Sequence, residues 1–551
     1  MKIIRSKWMG RIIITLVLGV TILWCPPVFY LNDDVTMRSI LSGAYTGVPD
    51  GHAVYMQYPL TGFLACLYRL VPVIPWMELF FLGSLLMGMI CVAERFECYW
   101  KGAVIALVLF VPFCLYMHYT LVAALLAATG VFLLTAEEKY GWAGAFLLFA
   151  YLIRSQIGLL ALPFAACAII WSIISCEKNQ QKEKGLRKGK LFLGILVGMF
   201  ICSTINAFFY RTERWQEYLN YNEKRTVLYD YTDFLSTDIY EKNPNDYGMT
   251  KEEVIVLSGY NTLLDSRITA DKVESVAQAV TERMKSKQPE GKSLINLGKA
   301  YYSQMRYQDK PFNYLWVLMC GGLAVSLIWN RSWKHLIIWI LLLIGRSGVW
   351  MYLIDKGRFP ERVSLSLYMI ELMLLLGMFF TSWKKCNLKE VKWTGVLSLG
   401  MICVWVSVCG FWGNNTFVRV QEQKKLQLGW TELTEYCENQ PHCLYLVDVF
   451  SAVEYAGYLF ERNPENVKMA GGWMTTSPLS RSVFEQWNAI DGGEALYQSD
   501  KVRLLVAKNR EIKRLESYFI SRFGNCELVK EGEIDWPGGK GFVEYSLQAG
   551  Q

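Results

Sequence analysis

Residues 12–23 read IIITLVLGVTIL, without a charge, and residues 24–34 follow at once as WCPPVFYLNDD. Two further stretches, 104–114 (VIALVLFVPFC) and 191–200 (LFLGILVGMF), are equally bare of charge. A bilayer core asks for roughly 20 mostly apolar residues per helix. Many such stretches recur along the 551 residues, of which 53% are hydrophobic and only 19% charged. That charge fraction is low for a soluble chain of this size, and the apolar residues are clumped rather than spread. The reading is an α-helical polytopic membrane protein.

The first apolar stretch follows Lys2, Arg5, Lys7 and Arg11, as the core of a signal peptide would. No small-residue cleavage site follows it, since Trp24-Cys25-Pro26-Pro27 comes next. It is therefore expected to stay as a first helix. The expected spans are 12–30, 76–93, 102–117, 120–135, 142–153, 157–176, 191–210, 313–329, 335–354, 362–382 and 393–411, about eleven helices. Around Arg154, two short helices and one bent helix read alike.

Short loops rich in Lys and Arg face the cytoplasm. Arg95 and Lys101, Lys139, the 178–190 cluster, Arg331 with Lys334, and Lys384 to Lys392 all fall on one side if the N-terminus is cytoplasmic. The formal net charge of +7 thus has a topological explanation, and nucleic acid is not expected as a partner. An odd number of spans places the C-terminus outside. Three long polar segments then share the outer side: 31–75, 211–310 and everything after residue 411. The expected organisation is a membrane module over 1–411 and an extracytoplasmic α/β domain over 412–551. In the latter, 443–449 (CLYLVDV) and 502–507 (VRLLVA) read as buried strands. Residues 430–438, 452–460 and 510–523 read as helices, and 527–534 with 541–547 as a hairpin. Of the 15 cysteines most lie in apolar stretches, where Cys acts as a small hydrophobe. Cys437 and Cys443 lie outside and are close enough in sequence to pair.

Asn32-Asp33-Asp34 stands directly after the first helix. Two adjacent carboxylates are costly to bring together without a proton or a cation between them. Such a pair can deprotonate a hydroxyl or hold a metal. The bland alternative is that Asp33 or Asp34 caps an amphipathic helix over 35–43. Next come a Gly/Pro loop (46–51) and a second apolar stretch, 58–70, too short to span. The first outer segment is thus expected to carry two helices lying on the membrane.

This layout resembles the GT-C superfamily of multi-spanning glycosyltransferases that use polyprenyl-phosphate-linked sugars. There, an acidic motif in the first outer loop supplies the catalytic carboxylate beside juxtamembrane helices. The resemblance covers roughly residues 12–411 and implies an inverting transfer of sugar to a cell-surface glycan or lipid. It makes Asp33 the expected base and Asp34 its capping or metal partner. It leaves a divalent metal open, since only some members need one, and implies no other cofactor. The expected location is the plasma membrane. A surface-polysaccharide polymerase or a glycolipid transporter remain as alternatives.

A phosphate leaving group needs cations nearby. Arg358 and Arg362, in the tight turn 356–362 (KGRFPER), and Arg154, inside an otherwise apolar stretch, are the candidates. Snorkelling arginines or an interfacial loop are the structural alternatives. The segment 222–231 (NEKRTVLYDY) mixes rings and charges as sugar sites do, and Arg225, Asp230 and Tyr231 are candidate acceptor contacts. A solvated helix is the plainer reading of that segment. Arg346 and Glu371 both lie roughly 16 Å above the cytoplasmic end of neighbouring helices. They are expected to form a buried structural pair.

Overall fold

The structure is a computed structural model that describes residues 7–96, 98–135, 140–236, 248–287, 294–357, 359–385, 393–455, 457–536 and 540–550. In chain order the helical layer contains α1 (Lys7–Trp24), strand β1 (Val28–Phe29), α2 (Asn32–Ser42), α3 (Tyr58–Leu70), α4 (Trp76–Ala93) and α5 (Tyr99–Leu115). Strand β2 (Tyr116–Met117), α6 (Tyr119–Leu134), α7 (Tyr140–Ile153), α8 (Ser155–Ile174) and α9 (Lys178–Phe209) follow. A polar segment then holds α10 (Glu213–Tyr231), α11 (Lys251–Ser258) and α12 (Ala270–Lys287). After α13 (Leu294–Ser303) the chain re-enters the bundle through α14 (Phe312–Trp329), α15 (Trp333–Asp355) and α16 (Glu361–Lys385), and leaves it in α17 (Trp393–Glu438).

Each expected span overlaps one of these helices, but those over 12–30 and 102–117 run past the ends of α1 and α5 into β1 and β2. Among the described residues, α1, α4, α8, α9, α14, α15 and α16 make seven that are long and apolar enough to cross a membrane. Helices α5, α6 and α7 are apolar but shorter. The protein is therefore a helical polytopic one with a C-terminal sheet region. Helix α6 is apolar on all sides and buried along its whole length, so it forms the axis of the bundle. At Gly130 a Cβ would sit 2.8 Å from Leu147, and its absence lets α7 lie close against α6. The two short first-loop helices fall where expected, as α2 and α3. Helix α2 stops at Gly43, whose φ of 91° suits a residue without a Cβ.

Two expectations are corrected, and the possible pairing of Cys437 with Cys443 is not made. Helix α17 runs unbroken for 46 residues, where a span ending at 411 and a separate helix from 430 were expected. No proline interrupts it, so it carries the chain straight from bundle to C-terminal unit. The helix expected over 452–460 is only a short turn, α18 (Val449–Ala452). Beyond it Gly457 takes φ 70°, and the carbonyls of Tyr458 and Leu459 accept from Arg38 instead of from a helix. Cys437 and Cys443 are both free thiols. Cys437 is buried in the apolar core beside Leu433, and Cys443 packs against the same core as a separate thiol.

The C-terminal sheet has the order β4-β3-β5-β7-β6, with β3 (Leu444–Val447), β4 (Val467–Met469), β5 (Val502–Ala507), β6 (Cys526–Trp536) and β7 (Lys540–Ala549). Strands β4, β3 and β5 are parallel, and β7 and β6 add as an antiparallel hairpin. Both faces of β3 are covered, which accounts for its continuous apolar run. Leu444 and Leu446 share a core with Leu257, Val276 and Val280 of the second polar segment. Tyr445 and Val447 face α17. The second polar segment thus packs into the C-terminal unit. At the carboxyl ends of β3 and β5, where open α/β sheets usually take a ligand, Asn261 fills the crevice. Its amide donates to Asp448 at 2.6 Å and accepts from the Val449 N–H at 3.0 Å.

The first polar segment joins the same body. Arg38, buried in α2, donates to Tyr458 O (2.7 Å), Leu459 O (2.9 Å) and Asn463 Oδ1 (2.6 Å). Lys468 donates to Ala44 O at 2.9 Å, and the Tyr45 hydroxyl meets Ser480 at 2.8 Å. All three polar segments therefore gather on one face of the helical layer.

Inside the bundle, Arg346 Nε donates to Glu371 Oε2 at 2.6 Å, as the equal depths implied. Trp350 donates to the other carboxylate oxygen at 2.7 Å, and the guanidinium stacks 3.9 Å from the Trp316 ring. Removing one member of a buried ion pair typically costs ~3–5 kcal/mol, while replacing both with apolar residues is close to neutral. Arg346→Met alone is expected to be strongly destabilised, and Arg346→Met with Glu371→Leu to regain most of the loss. Thermal unfolding in detergent tests this. An equal loss in single and double variants would rule out an uncompensated charge as the cause.

Candidate active site

The site is assembled by a ladder of two residues per strand. Val28 and Phe29 of β1 pair in parallel with Tyr116 and Met117 of β2. Tyr30 continues the register by donating its N–H to Met117 O at 2.7 Å. The chain leaving α1 is thus locked beside the chain leaving α5. The acidic motif, which follows one strand, meets His118 and Tyr119, which follow the other.

Asp33 and Asp34 lie in the first turn of α2, whose N-cap is Leu31 and has no side-chain cap bond. The helix-cap alternative therefore does not describe them, although carboxylates in a first turn do favour the helix dipole. Asp34 reaches across instead. Its Oδ1 accepts the N–H of Tyr119, the first residue of α6, at 2.9 Å. Its Oδ2 is buried and has no hydrogen-bond partner among the described residues. Burial raises the Asp34 pKa well above the ordinary carboxylate range; the Tyr119 N–H opposes this and Asp33 adds to it.

Asp33 is half-buried. Among the described residues its carboxylate forms no hydrogen bond or ion pair. Burial raises its pKa. Against burial act the positive charges of Arg362, Arg225 and Arg154, in that order, and Asp230 works with it. The four residues come from α16, α10, the α7–α8 break and α10. Most of the candidates chosen from sequence thus converge electrostatically on one carboxylate.

Each cation has its own mount. Arg154 takes an extended backbone (φ −148°, ψ 102°) that ends α7 and caps α8. Two helices, not one bent helix, therefore meet there. Its guanidinium donates to the Tyr119 hydroxyl at 2.9 Å and lies 5.3 Å from both the Tyr55 and Tyr119 rings. Arg225 is buried and bonds to Asn222 Oδ1 at 3.0 Å and to the Tyr260 hydroxyl. Arg362, half-buried in the first turn of α16, has no hydrogen-bond or ion-pair partner for its guanidinium among the described residues. Its neighbour Glu361 is taken by Arg419 at 3.0 Å. Asp230 is half-buried, whereas Tyr231, the next residue, has an exposed ring. Arg358 lies outside the described residues.

Tyr30, Tyr55 and Trp473 carry no signal in the sequence, and the run 116–119 (YMHY) reads there as an interfacial aromatic belt first and a cavity wall second. Tyr55 feels Asp33 and Arg225 and packs 4.8 Å from the Trp473 ring of the C-terminal unit. Burial pushes the Tyr119 hydroxyl up to about 12 against the pull of Arg154. The 116–119 aromatic run was visible in the sequence, but nothing there paired it with residues 28–30. The residues present do not make a metal set. Among the described residues no three His, Cys, Asp or Glu side chains gather to hold an ion, and a site with two carboxylates would draw the rest of its shell from elsewhere.

No family model matches this chain, and searches of curated proteins and of solved structures return no match. What fold and site define together is a helical polytopic membrane protein in which a carboxylate, unpaired among the described residues, feels the charges of three arginines near the α/β unit.

The raised pKa of Asp33 has a consequence for stability. A carboxylate whose folded pKa exceeds its unfolded one binds more protons when folded, so stability falls as pH rises through the window between the two values. Above that window the charged group opposes folding. Asp33→Asn is therefore expected to melt at or above the wild-type temperature at neutral pH, and to lose that advantage as the pH drops into the carboxylate range. A lower melting temperature at neutral pH would make Asp33 a structural anchor instead.

Proposed function

We propose that the chain is a membrane glycosyltransferase that moves a sugar from a polyprenyl-phosphate donor to a hydroxyl of a cell-surface glycan or lipid. The observation that carries this reading is the unpartnered Asp33 carboxylate among Arg362, Arg225 and Arg154. A half-withdrawn charge without a direct partner among the described residues is costly, and protein sites keep such groups where chemistry needs them. The gathering of three polar segments on one face supports an outer-side site, with the N-terminus cytoplasmic and about eleven crossings.

In this mechanism Asp33 accepts the proton of the acceptor hydroxyl. The hydroxyl oxygen attacks the anomeric carbon from the face opposite the leaving group. The bond from that carbon to the lipid phosphate oxygen breaks, and its electron pair stays on the phosphate with inversion at carbon. A pKa raised towards neutrality makes Asp33 a stronger base than an ordinary carboxylate. Arg362 and Arg154 stabilise the charge gathering on the phosphate. Asp34 holds α2 against the start of α6 and so positions Asp33. Arg225 and Asp230, with the rings of Tyr55 and Tyr260, face the acceptor. Protein contacts outside the bilayer are to glycan and lipid, not to nucleic acid.

Complementation or in vitro transfer with Asp33→Asn, at unchanged membrane level, is expected to lose roughly 10²- to 10⁴-fold in rate, the usual contribution of a general base. Arg362→Ala is expected to be similarly impaired. Full activity in Asp33→Asn beside an inactive Arg362→Ala would replace this reading with an arginine-dependent polymerase.

A further inference from the structure

His118 has no role in the mechanism above, yet it is only 1% exposed and lies within the same cluster. It is the N-cap of α6, and its Nδ1 accepts the Thr120 N–H at 3.0 Å. That bond decides the tautomer. With Nδ1 accepting, the ring proton of a neutral imidazole resides on Nε2. Protonating both nitrogens would set two N–H groups against each other at the cap. Burial, with Arg362 and Arg154 nearby, also holds the ring far below its ordinary pKa. His118 is therefore a donor and neither a base nor a cation.

Nε2 has no hydrogen-bond partner among the described residues. A buried donor left unmet costs about 1–3 kcal/mol. The ring is wedged in place, edge-on to Tyr30 at 5.6 Å and stacked against Tyr119 at 4.7 Å. The positive charge of Arg362 acts on His118, and its guanidinium likewise has no partner among the described residues. A buried neutral donor, unmet among the described residues, thus stands at the N-terminus of a 16-residue helix, and the positive charge of Arg362 acts on the same ring; both favour an anion there.

The geometry points to His118 Nε2–H as a fixed neutral donor to a phosphate oxygen of the lipid-linked donor, working beside Arg362. This rests on the glycosyltransferase reading and deepens it by assigning a binding residue for the phosphate. Neutrality matters here, because it adds a hydrogen bond without adding a third full charge beside Asp33.

The test compares binding of farnesyl phosphate and of farnesol to the full chain in detergent, for wild type, His118→Asn, His118→Ser and Arg362→Ala. Asn and Ser both cap helices well, so α6 keeps its cap, but neither reaches the position of Nε2. The quantity read is the ratio of the two affinities, which a smaller folded fraction does not alter. Wild type is expected to prefer the phosphate. Both His118 variants should lose roughly 10- to 100-fold of that preference, the loss expected for one hydrogen bond to a charged group. An unchanged ratio in both His118 variants with a lost one in Arg362→Ala would overturn the role of His118 and leave the proposed function standing. No preference in the wild type would overturn both.

Discussion

The parallel pairing of Val28 and Phe29 with Tyr116 and Met117 is the contact on which the polar side of this molecule depends. It joins the exits of two helices that are far apart in sequence. Because it fixes register, it decides that the residues after Phe29 meet those after Met117. Asp34 can then satisfy the first N–H of α6, a group that a helix cannot satisfy internally. The opposite edge of β1 receives Tyr458 through the Val28 bridge, so the C-terminal unit is tied to the same point. Arg38, one helical turn beyond Asp34, completes the tie by feeding its donors to carbonyls of the C-terminal unit.

Two sets of charge in this chain, one buried and one half-buried, behave in opposite ways. Arg346 and Glu371 are saturated: Trp350 takes the second carboxylate oxygen, and Tyr301 and Met305 take further guanidinium donors. Such a set holds helices together and offers nothing to a ligand. Around Asp33 the balance is different. Asp33 and Arg362 attract one another across the site without direct contact, and Asp34 and His118 each keep an orphaned atom. In a low-dielectric setting these unmet groups are costly, and a substrate that meets them recovers that cost on binding. The contrast sets a structural pair apart from the proposed site by degree of satisfaction.

The C-terminal unit shows the same logic. Its parallel strands end in a crevice of the kind that binds ligands in many α/β proteins. Here Asn261 and Asp448 satisfy one another in that crevice, and Arg510 lies 3.6 Å from the same carboxylate. The unit serves as a clamp for the second polar segment. Through Trp473, it also supplies a wall to the Asp33 site.

The apolar helices, the two short first-loop helices, the strands 444–447 and 502–507 and the Arg346–Glu371 pair were all legible in the sequence. Each follows from composition, periodicity or equal depth along neighbouring helices, and these are local quantities. Arg154, Arg362, Arg225 and Asp230 could be picked out because charge among apolar or aromatic residues is locally conspicuous. Their convergence on Asp33 could not be read, since it depends on which helix lies next to which. His118 stayed hidden for the same reason. A lone histidine in an aromatic run carries no signal until its cap bond sets its tautomer and its neighbours are known. The continuity of α17, the free Cys437 and the unwound stretch after Ala452 were likewise decided by packing, because the C-terminal unit must satisfy Arg38 and fill its own core. Sequence alone determined which segments are helical and apolar; only the tertiary structure decided which polar groups were left unsatisfied, because satisfaction is a property of neighbours that the chain brings together from hundreds of residues apart.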